Sequence, residues 1–146
     1  HSQRDAGGRE AIHREMTRLL LDTSAYFAFM RGHREAGYAI AEAEEVYLNA
    51  VVVGEVFDAF LRGSQREQNQ AEFDRFVDSP HVNIIVIDEI TAQRYAFISN
   101  TLRRAGTPIS PNDLWVAASA LQHGLELLTF DGDFERVPQL VTRLLS

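Results

Sequence analysis

The chain has 146 residues, of which 45% are hydrophobic and 24% are charged, and its formal net charge is −7. This length and composition fit one globular domain with a real core and exclude a disordered chain. Cysteine is absent and all 14 basic residues are arginine, which excludes disulfide scaffolds, zinc–thiolate sites, a P-loop lysine and Schiff-base chemistry. The acidic balance argues against broad electrostatic attraction to nucleic acid but permits a local arginine patch.

No membrane or secretory segment is expected. The longest apolar stretch, 114–125, is well short of the roughly 20 residues that a membrane span needs, and the first fifteen residues lack the apolar core of a signal peptide. We therefore expect a cytoplasmic protein with no membrane partner. Residues 1–15 show no sustained apolar period, so we predict a tag remnant, linker or upstream extension there and a single domain over 16–146.

Short apolar runs alternate with helical patterns from Met16 onward. In chain order they predict a strand over 18–22, helices over 24–31 and 33–45, a strand over 46–50, helices over 51–63 and 64–78, a strand over 81–88, helices over 89–105 and 110–124, a strand over 125–130 and a short fifth strand within 138–145. Strands separated by helices predict an α/β fold with a central parallel sheet of four to five strands and helices on both faces. Ligands of such sheets bind outside the carboxyl ends of the strands.

Two local features of these helices are also predicted. Ser64 and Glu67 have the spacing of a capping box at the start of the helix over 64–78. The buried stripe of the helix over 51–63 is predicted to consist of Val53, Val56, Phe57, Phe60 and Leu61.

Acidic residues recur where strands end and helices begin, and each has a purely local explanation. Asp22 follows a strand and can cap the next helix, and Asp113 is the third residue after a capping serine and a proline. Glu55 lies opposite the predicted buried stripe, where a solvated face is the ordinary interpretation. Asp131 and Asp133 flank a glycine and can cap a short helix.

The shared location of these acids favours a second interpretation. In a parallel sheet the strand ends and the following helix starts lie along one edge, so the carboxylates would gather there and repel one another. A divalent cation removes that repulsion, and oxygen ligands suit Mg²⁺ or Mn²⁺. The sequence therefore predicts a metal site at the carboxyl edge of the sheet.

The chain resembles the PIN-domain ribonucleases, specifically the VapC-type toxins of bacterial toxin–antitoxin pairs. The matching segments are "LLLDTSAYFAFM" with Asp22, "NAVVVGEVFDAF" with Glu55, "ISPNDLWVAASAL" with Asp113, and "LLTFDGDF" with Asp131 and Asp133. With "VNIIVIDEITAQRYAFI" they span essentially the whole of 16–145 in the family's order. The segment before Met16 is not part of the family pattern.

The resemblance implies a PIN-like fold and a Mg²⁺- or Mn²⁺-dependent endoribonuclease that cleaves single-stranded or looped RNA and leaves a 5′-phosphate and a 3′-hydroxyl. Asp22, Glu55, Asp113 and Asp131 would be catalytic acids that face the metal. Asp133 would be a further ligand or an indirect partner. The implied macromolecular partners are the RNA substrate, a cognate antitoxin protein that lies across the active-site groove, and a second copy of the chain in a homodimer.

Several residue roles and two rival functions stay open at this point. Ser24 and Thr129 match hydroxyl positions that could hold water or phosphate, although helix capping and strand packing explain them equally well. RNA contacts would fall to arginines such as Arg31, Arg34 or Arg62, each of which is also an ordinary solvated residue. The rival functions are a metal-dependent phosphatase, which the missing lysine opposes, and a catalytically silent PIN-like module that binds protein.

Overall fold

The computed structural model describes residues 17–146. The prediction for residues 1–15 and the first residue of the predicted domain, Met16, lie outside this part of the chain. The elements in chain order are β1 (Arg18–Leu21), α1 (Thr23–Met30), α2 (Arg34–Glu42), β2 (Glu45–Asn49), α3 (Ala50–Arg62), α4 (Arg66–Val77), β3 (Val82–Ile85), α5 (Glu89–Arg104), α6 (Pro111–His123), β4 (Glu126–Thr129), a 3₁₀ helix (Gly132–Arg136) and β5 (Thr142–Leu144).

The five strands form one parallel sheet in the order β3-β2-β1-β4-β5, with helices on both faces, which confirms the predicted fold class. The chain builds the sheet outward from β1 to β2 and β3, and then crosses back to add β4 and β5 on the other side. The strand order therefore reverses between β1 and β4. In parallel sheets a ligand crevice opens at the carboxyl ends of the strands at such a reversal.

The core is centred on β1, where Leu19, Leu20 and Leu21 are all fully buried. A parallel strand that is covered on both faces needs an uninterrupted apolar run, and "LLL" supplies it. Tyr47 of β2 and Leu127 of β4 are the register partners of Leu20 on either side. This fixed register places the ends of β1 and β4 side by side.

The capping box predicted at Ser64 is wrong. Helix α4 begins at Arg66 with Gln65 as its N-cap, and no side chain caps it. Gly63 is extended, with φ −94° and ψ −178°, and Ser64 lies outside the helix, one residue before the N-cap. A capping box forms at the start of α5 instead, between Asp88 and Thr91.

The buried stripe of α3 differs from the predicted one. Val52, Val56 and Phe60 are buried, whereas Leu61 has 61% of its surface exposed. The first turns of α3 are apolar nearly all round, so periodicity alone did not fix which face turns inward. Glu55 is half-buried, whereas the predicted stripe placed it on the opposite, solvated face.

No helix within residues 17–146 is both long enough and apolar enough to cross a membrane.

Candidate active site

Four of the five predicted acids meet at a cleft of about 310 Å³ at the carboxyl edge of the sheet. Its lining comprises Asp22, Thr23, Ser24, Glu55, Asp113, Val116, Phe130 and Asp131. Larger clefts lie elsewhere: one of about 600 Å³ beside Phe57 has two carboxylates in its lining, and one of about 570 Å³ beside Arg18 has one. The concentration of acids, rather than size, distinguishes the smaller cleft.

Asp22 is the most buried of the acids and the most firmly held. It follows β1 directly, and its Oδ1 accepts hydrogen bonds from Ser24 Oγ at 2.6 Å and from the backbone nitrogen of Ala25 at 2.9 Å, so it caps α1. Its Oδ2 accepts a hydrogen bond from Thr129 Oγ1 at 2.5 Å. Burial raises the pKa of Asp22, and the hydrogen bonds from Ser24, Thr129 and Ala25 oppose that rise. Capping and membership of the cleft are therefore properties of the same carboxylate.

Ser24 lines the cleft and Thr129 lies outside its lining, and both side chains donate a hydrogen bond to Asp22. Besides its bond to Asp22, Ser24 Oγ accepts a hydrogen bond from the backbone nitrogen of Phe130 at 3.2 Å. Thr129 is fully buried at the end of β4, and its Oγ1 accepts a hydrogen bond from the backbone nitrogen of Asp131 at 2.9 Å. The two hydroxyls tie the ends of β1 and β4 together.

Glu55 extends from α3 and is held from two other helices. Its Oε1 accepts a hydrogen bond from Thr23 Oγ1 at 2.5 Å, and its Oε2 accepts one from Asn112 Nδ2 at 3.1 Å. Thr23 begins α1 and Asn112 lies in the first turn of α6. The carboxylate therefore lies at the junction of three helices.

Asp113 occupies the first turn of α6 as predicted, with Ser110 as the N-cap and Pro111 as the first helical residue. Ser110 Oγ accepts a hydrogen bond from the Asp113 backbone nitrogen at 3.2 Å. Burial raises the pKa of Asp113 to about 6, and the negative charges of Asp131, Asp22 and Glu55 add to the rise against the opposing effect of Ser110. Asp113 therefore lies close enough to the other three carboxylates for their charges to disfavour its ionisation.

Asp131 and Asp133, which the sequence did not separate, occupy different places. Asp131 lines the cleft, and its Oδ1 caps the 3₁₀ helix by accepting a hydrogen bond from the backbone nitrogen of Asp133 at 2.9 Å. Asp133 is not among the lining residues, and its Oδ1 lies 3.2 Å from Arg136 Nη2 in an ion pair. The arginines expected to contact RNA, Arg31, Arg34 and Arg62, are also absent from the lining of this cleft.

Sequence reasoning missed three polar residues that arrange the site: Thr23, Asn49 and Asn112. Asn49 is fully buried, caps α3 through Val52 N at 2.9 Å, and donates to Ser119 Oγ of α6 at 3.0 Å. It thereby joins the helix that carries Glu55 to the helix that carries Asp113. The available signal was position, because each of the three lies within the segments that carry the acids.

No basic side chain in the described part of the chain neutralises the acids of the cleft. No arginine of residues 17–146 lies within ion-pair distance of Asp22, Glu55, Asp113 or Asp131. Within the same range, no three acidic or histidine side chains are close enough to form a ready-made metal cage. Mg²⁺ is compatible with such an open set, because it keeps several waters and takes one or two carboxylates together with substrate phosphate oxygens. The donor chemistry therefore fits a hard divalent cation.

Comparison with known proteins identifies the fold family. The family model described as PIN domain matches residues 19–140, which cover most of the chain and every acid of the cleft. The chain belongs to the PIN-domain family. Its sequence is 28% identical over 127 residues to a protein named ribonuclease VapC4 from Mycobacterium tuberculosis, covering 84% of this chain and 93% of the relative. It is 24% identical over 127 residues to ribonuclease VapC2 from Rickettsia felis, with the same two coverages.

Solved structures agree with this PIN-domain assignment. The crystal structure of VapBC2 from Rickettsia felis bound to a DNA fragment from its promoter contains a chain that matches with a TM-score of 0.79 and 22% sequence identity. The match covers 89% of this chain and 100% of that chain. The resemblance to VapC-type PIN domains drawn from the sequence is confirmed, and so is the PIN-like architecture.

Proposed function

We propose that this PIN-domain protein is a Mg²⁺- or Mn²⁺-dependent endoribonuclease that cleaves single-stranded or looped RNA, and that it is the toxin of a toxin–antitoxin pair. The observation that carries the proposal is the set of four carboxylates, from four parts of the chain, that line one cleft without an arginine of residues 17–146 to neutralise them. The relatives named ribonuclease VapC support the ribonuclease assignment.

The carboxylates proposed to hold the metal are Asp22, Glu55, Asp113 and Asp131. Asp133 remains a candidate for an indirect role, since it donates its backbone nitrogen to the Asp131 carboxylate. A bound Mg²⁺ or Mn²⁺ would supply positive charge at the scissile phosphate and lower the pKa of a coordinated water. The hardness of the oxygen donors favours these ions over softer metals.

The chain's own residues prepare this chemistry. Ser24, Thr129 and the amide of Ala25 hold the Asp22 carboxylate in one orientation, so it needs no rearrangement to receive a cation. Asp113 has a pKa of about 6, so its carboxyl group holds a proton in mildly acidic solution and is ionised near neutral pH. Glu55 and Asp131 face the same cleft and are the candidates for orienting the attacking water. Cleavage by in-line attack would leave a 5′-phosphate and a 3′-hydroxyl.

Two protein partners complete the proposal. Solved structures with the same fold include VapBC complexes, which supports a cognate antitoxin as the partner of this chain. We further propose a homodimer and RNA contacts through arginines such as Arg31, Arg34 and Arg62. Arg31 and Arg34 are exposed, and Arg62 forms an exposed intrahelical ion pair with Asp58 at 3.2 Å.

The decisive test is cleavage of a structured RNA mixture by purified wild type and by Asp22→Asn and Asp113→Asn, with and without Mg²⁺. Both variants keep the shape of aspartate, and Asp22→Asn keeps an oxygen that can cap α1, so we expect folded proteins whose cleavage rate falls at least about 100-fold. Asp74→Asn is the control, because Asp74 is exposed on α4 and does not line the cleft. It should cleave like wild type.

Each alternative outcome points to a different function. Cleavage that persists unchanged in both Asp22→Asn and Asp113→Asn would refute the assignment of the cleft as the nuclease site. Turnover of a phosphomonoester with Mg²⁺ but no RNA cleavage would favour a phosphatase. Neither activity, with retained binding of an antitoxin-like protein, would favour a silent binding module.

A further inference from the structure

Both carboxylate oxygens of Glu55 accept hydrogen bonds from side chains that form no other hydrogen bond in the described part of the chain. Thr23 Oγ1 donates to Oε1 at 2.5 Å, and Asn112 Nδ2 donates to Oε2 at 3.1 Å. Neither donor is needed for helix capping, because Asp22 caps α1 and Ser110 caps α6. Local helix structure therefore does not explain why a threonine and an asparagine stand at these positions.

The two donors restrict the side-chain freedom of Glu55, which is greater than that of the three aspartates. Asp22, Asp113 and Asp131 have short side chains at element boundaries, and two of them are fixed as N-caps. Glu55 lies within α3, and a glutamate has three side-chain torsions whose freedom must be lost before it can hold one position. Two hydrogen bonds from different helices restrict those torsions before any ligand is present.

Asn112 also brings no charge to the cleft. An amide donor orients a carboxylate without neutralising it, whereas an arginine or lysine at the same place would compete with a cation for it. Each carboxylate oxygen has two lone-pair sites, so one hydrogen bond leaves the other available. The arrangement therefore positions Glu55 while preserving its capacity to bind.

We propose that Thr23 and Asn112 are positioning residues that hold the Glu55 carboxylate in the cleft and so raise the affinity of the site for a divalent cation. The inference rests on the proposed function, since it concerns the same cation site. Thr23 and Asn112 would then contribute to metal binding indirectly, through Glu55. Partners that orient metal ligands in this way typically contribute about 10- to 100-fold to metal affinity.

The test is a Mn²⁺ titration of the metal-free full-length protein, with free Mn²⁺ followed by electron paramagnetic resonance. Thr23→Val removes the hydroxyl at constant shape, and Asn112→Ala removes the amide from an exposed position. Each should weaken Mn²⁺ binding about tenfold, and Thr23→Ser, which keeps the hydroxyl, should restore wild-type affinity. Thr101→Val and Asn100→Ala on α5 are matched controls that should bind Mn²⁺ like wild type.

A second comparison separates positioning from a general structural role. In a Glu55→Ala background, Asn112→Ala should change Mn²⁺ affinity by less than about twofold, because a residue that acts through Glu55 has nothing left to position. Thermal unfolding in the presence of a chelator should be nearly the same for wild type, Thr23→Val and Asn112→Ala. An Asn112→Ala effect that persists at full size without Glu55 would overturn the inference.

The remaining outcomes distinguish this inference from the proposed function. If Asp22→Asn loses Mn²⁺ binding while Thr23→Val and Asn112→Ala bind like wild type, the positioning role is refuted and the metal site stands. If wild type neither binds Mn²⁺ nor cleaves RNA, the proposed function fails and this inference fails with it.

Discussion

Within residues 17–146, acidic side chains are paired with arginines at the amino end of the sheet, whereas the acids of the cleft at its carboxyl end are unpaired. At the amino end, Arg18 Nε lies 2.7 Å from Glu45 Oε1 on the neighbouring strand, and Arg143 Nη2 lies 3.0 Å from Glu126 Oε1. At the carboxyl end, Asp22, Glu55, Asp113 and Asp131 line one cleft, and no arginine of residues 17–146 pairs with any of them.

The charged residues at the amino end stabilise the fold, whereas the unpaired carboxylates at the carboxyl end are suited to binding a ligand. The hydrogen bond from Arg18 lowers the pKa of Glu45, so the ionised form is favoured where it lies. Burial and neighbouring acids instead raise the pKa of Asp22 and Asp113, so ionisation there opposes folding. A site that destabilises its own metal-free state in this way is typical of a binding site.

The largest expected effect at the carboxyl end is stabilisation by metal. Because Mg²⁺ would bind the folded protein and not the unfolded chain, Mg²⁺ at about 100 times its Kd should stabilise the wild type by about 2.7 kcal/mol. Thermal unfolding followed by circular dichroism measures this as a rise in Tm. Asp22→Asn should lose most of the rise, and an equal rise in that variant would remove the cleft as the cause.

A smaller effect is expected when one acid of the cleft loses its charge. Without metal at pH 7, Asp113→Asn should be more stable than wild type by about 1 kcal/mol, a value reduced for the half-exposed position of the side chain. Its folded-state pKa of about 6 lies above the ordinary value of 3.8, so the wild type loses stability as pH rises between these values.

The pH dependence supplies the control for this prediction. The advantage of Asp113→Asn should vanish below about pH 4, where the wild-type carboxyl is protonated in both the folded and the unfolded state. Unfolding midpoints of both proteins from pH 4 to 7 provide the measurement. A variant that is less stable than wild type at pH 7 would show that Asp113 stabilises the metal-free fold, contrary to the comparison.

The smallest expected effect has the opposite sign and lies at the amino end. Glu45→Gln removes the carboxylate that pairs with Arg18 and accepts a hydrogen bond from Tyr47 Oη at 2.9 Å, so the variant should be slightly less stable than wild type at neutral pH. The loss should shrink as salt is added, because the pair is partly exposed and screened. If Glu45→Gln were more stable than wild type, the Arg18–Glu45 pair would not stabilise the fold and the contrast between the two ends of the sheet would be wrong.

The sequence predicted the location of the acids because their positions follow from topology. Asp22 and Asp131 follow strands, and Asp113 begins a helix, so parallel strands bring them to one edge without knowledge of any side-chain contact. Glu55 lies about one turn beyond such a junction and so belongs to the same group by topology, although its helix was predicted to turn a different face inward. The apolar residues at 51–53 fit either face, and periodicity could not choose between them.

Features that depend on particular rotamers or on distant contacts were beyond the sequence. Asn49 donates to Ser119, 70 residues away, and only the assembled fold brings them together. Thr23 and Asn112 reach Glu55 through side-chain geometry that no spacing rule encodes. The Ser64 capping box had the right residues, but α4 begins at Arg66 with Gln65 as its N-cap, so Ser64 lies one residue too early to cap it.

The central claim is that Asp22, Glu55, Asp113 and Asp131 share one divalent cation. The most direct test is a crystal structure of the protein grown with Mn²⁺, with anomalous scattering used to locate the ion. We expect an anomalous peak in the cleft within coordination distance of carboxylate oxygens from this set. A well-ordered cleft without manganese, in a crystal that binds the ion elsewhere, would contradict the claim.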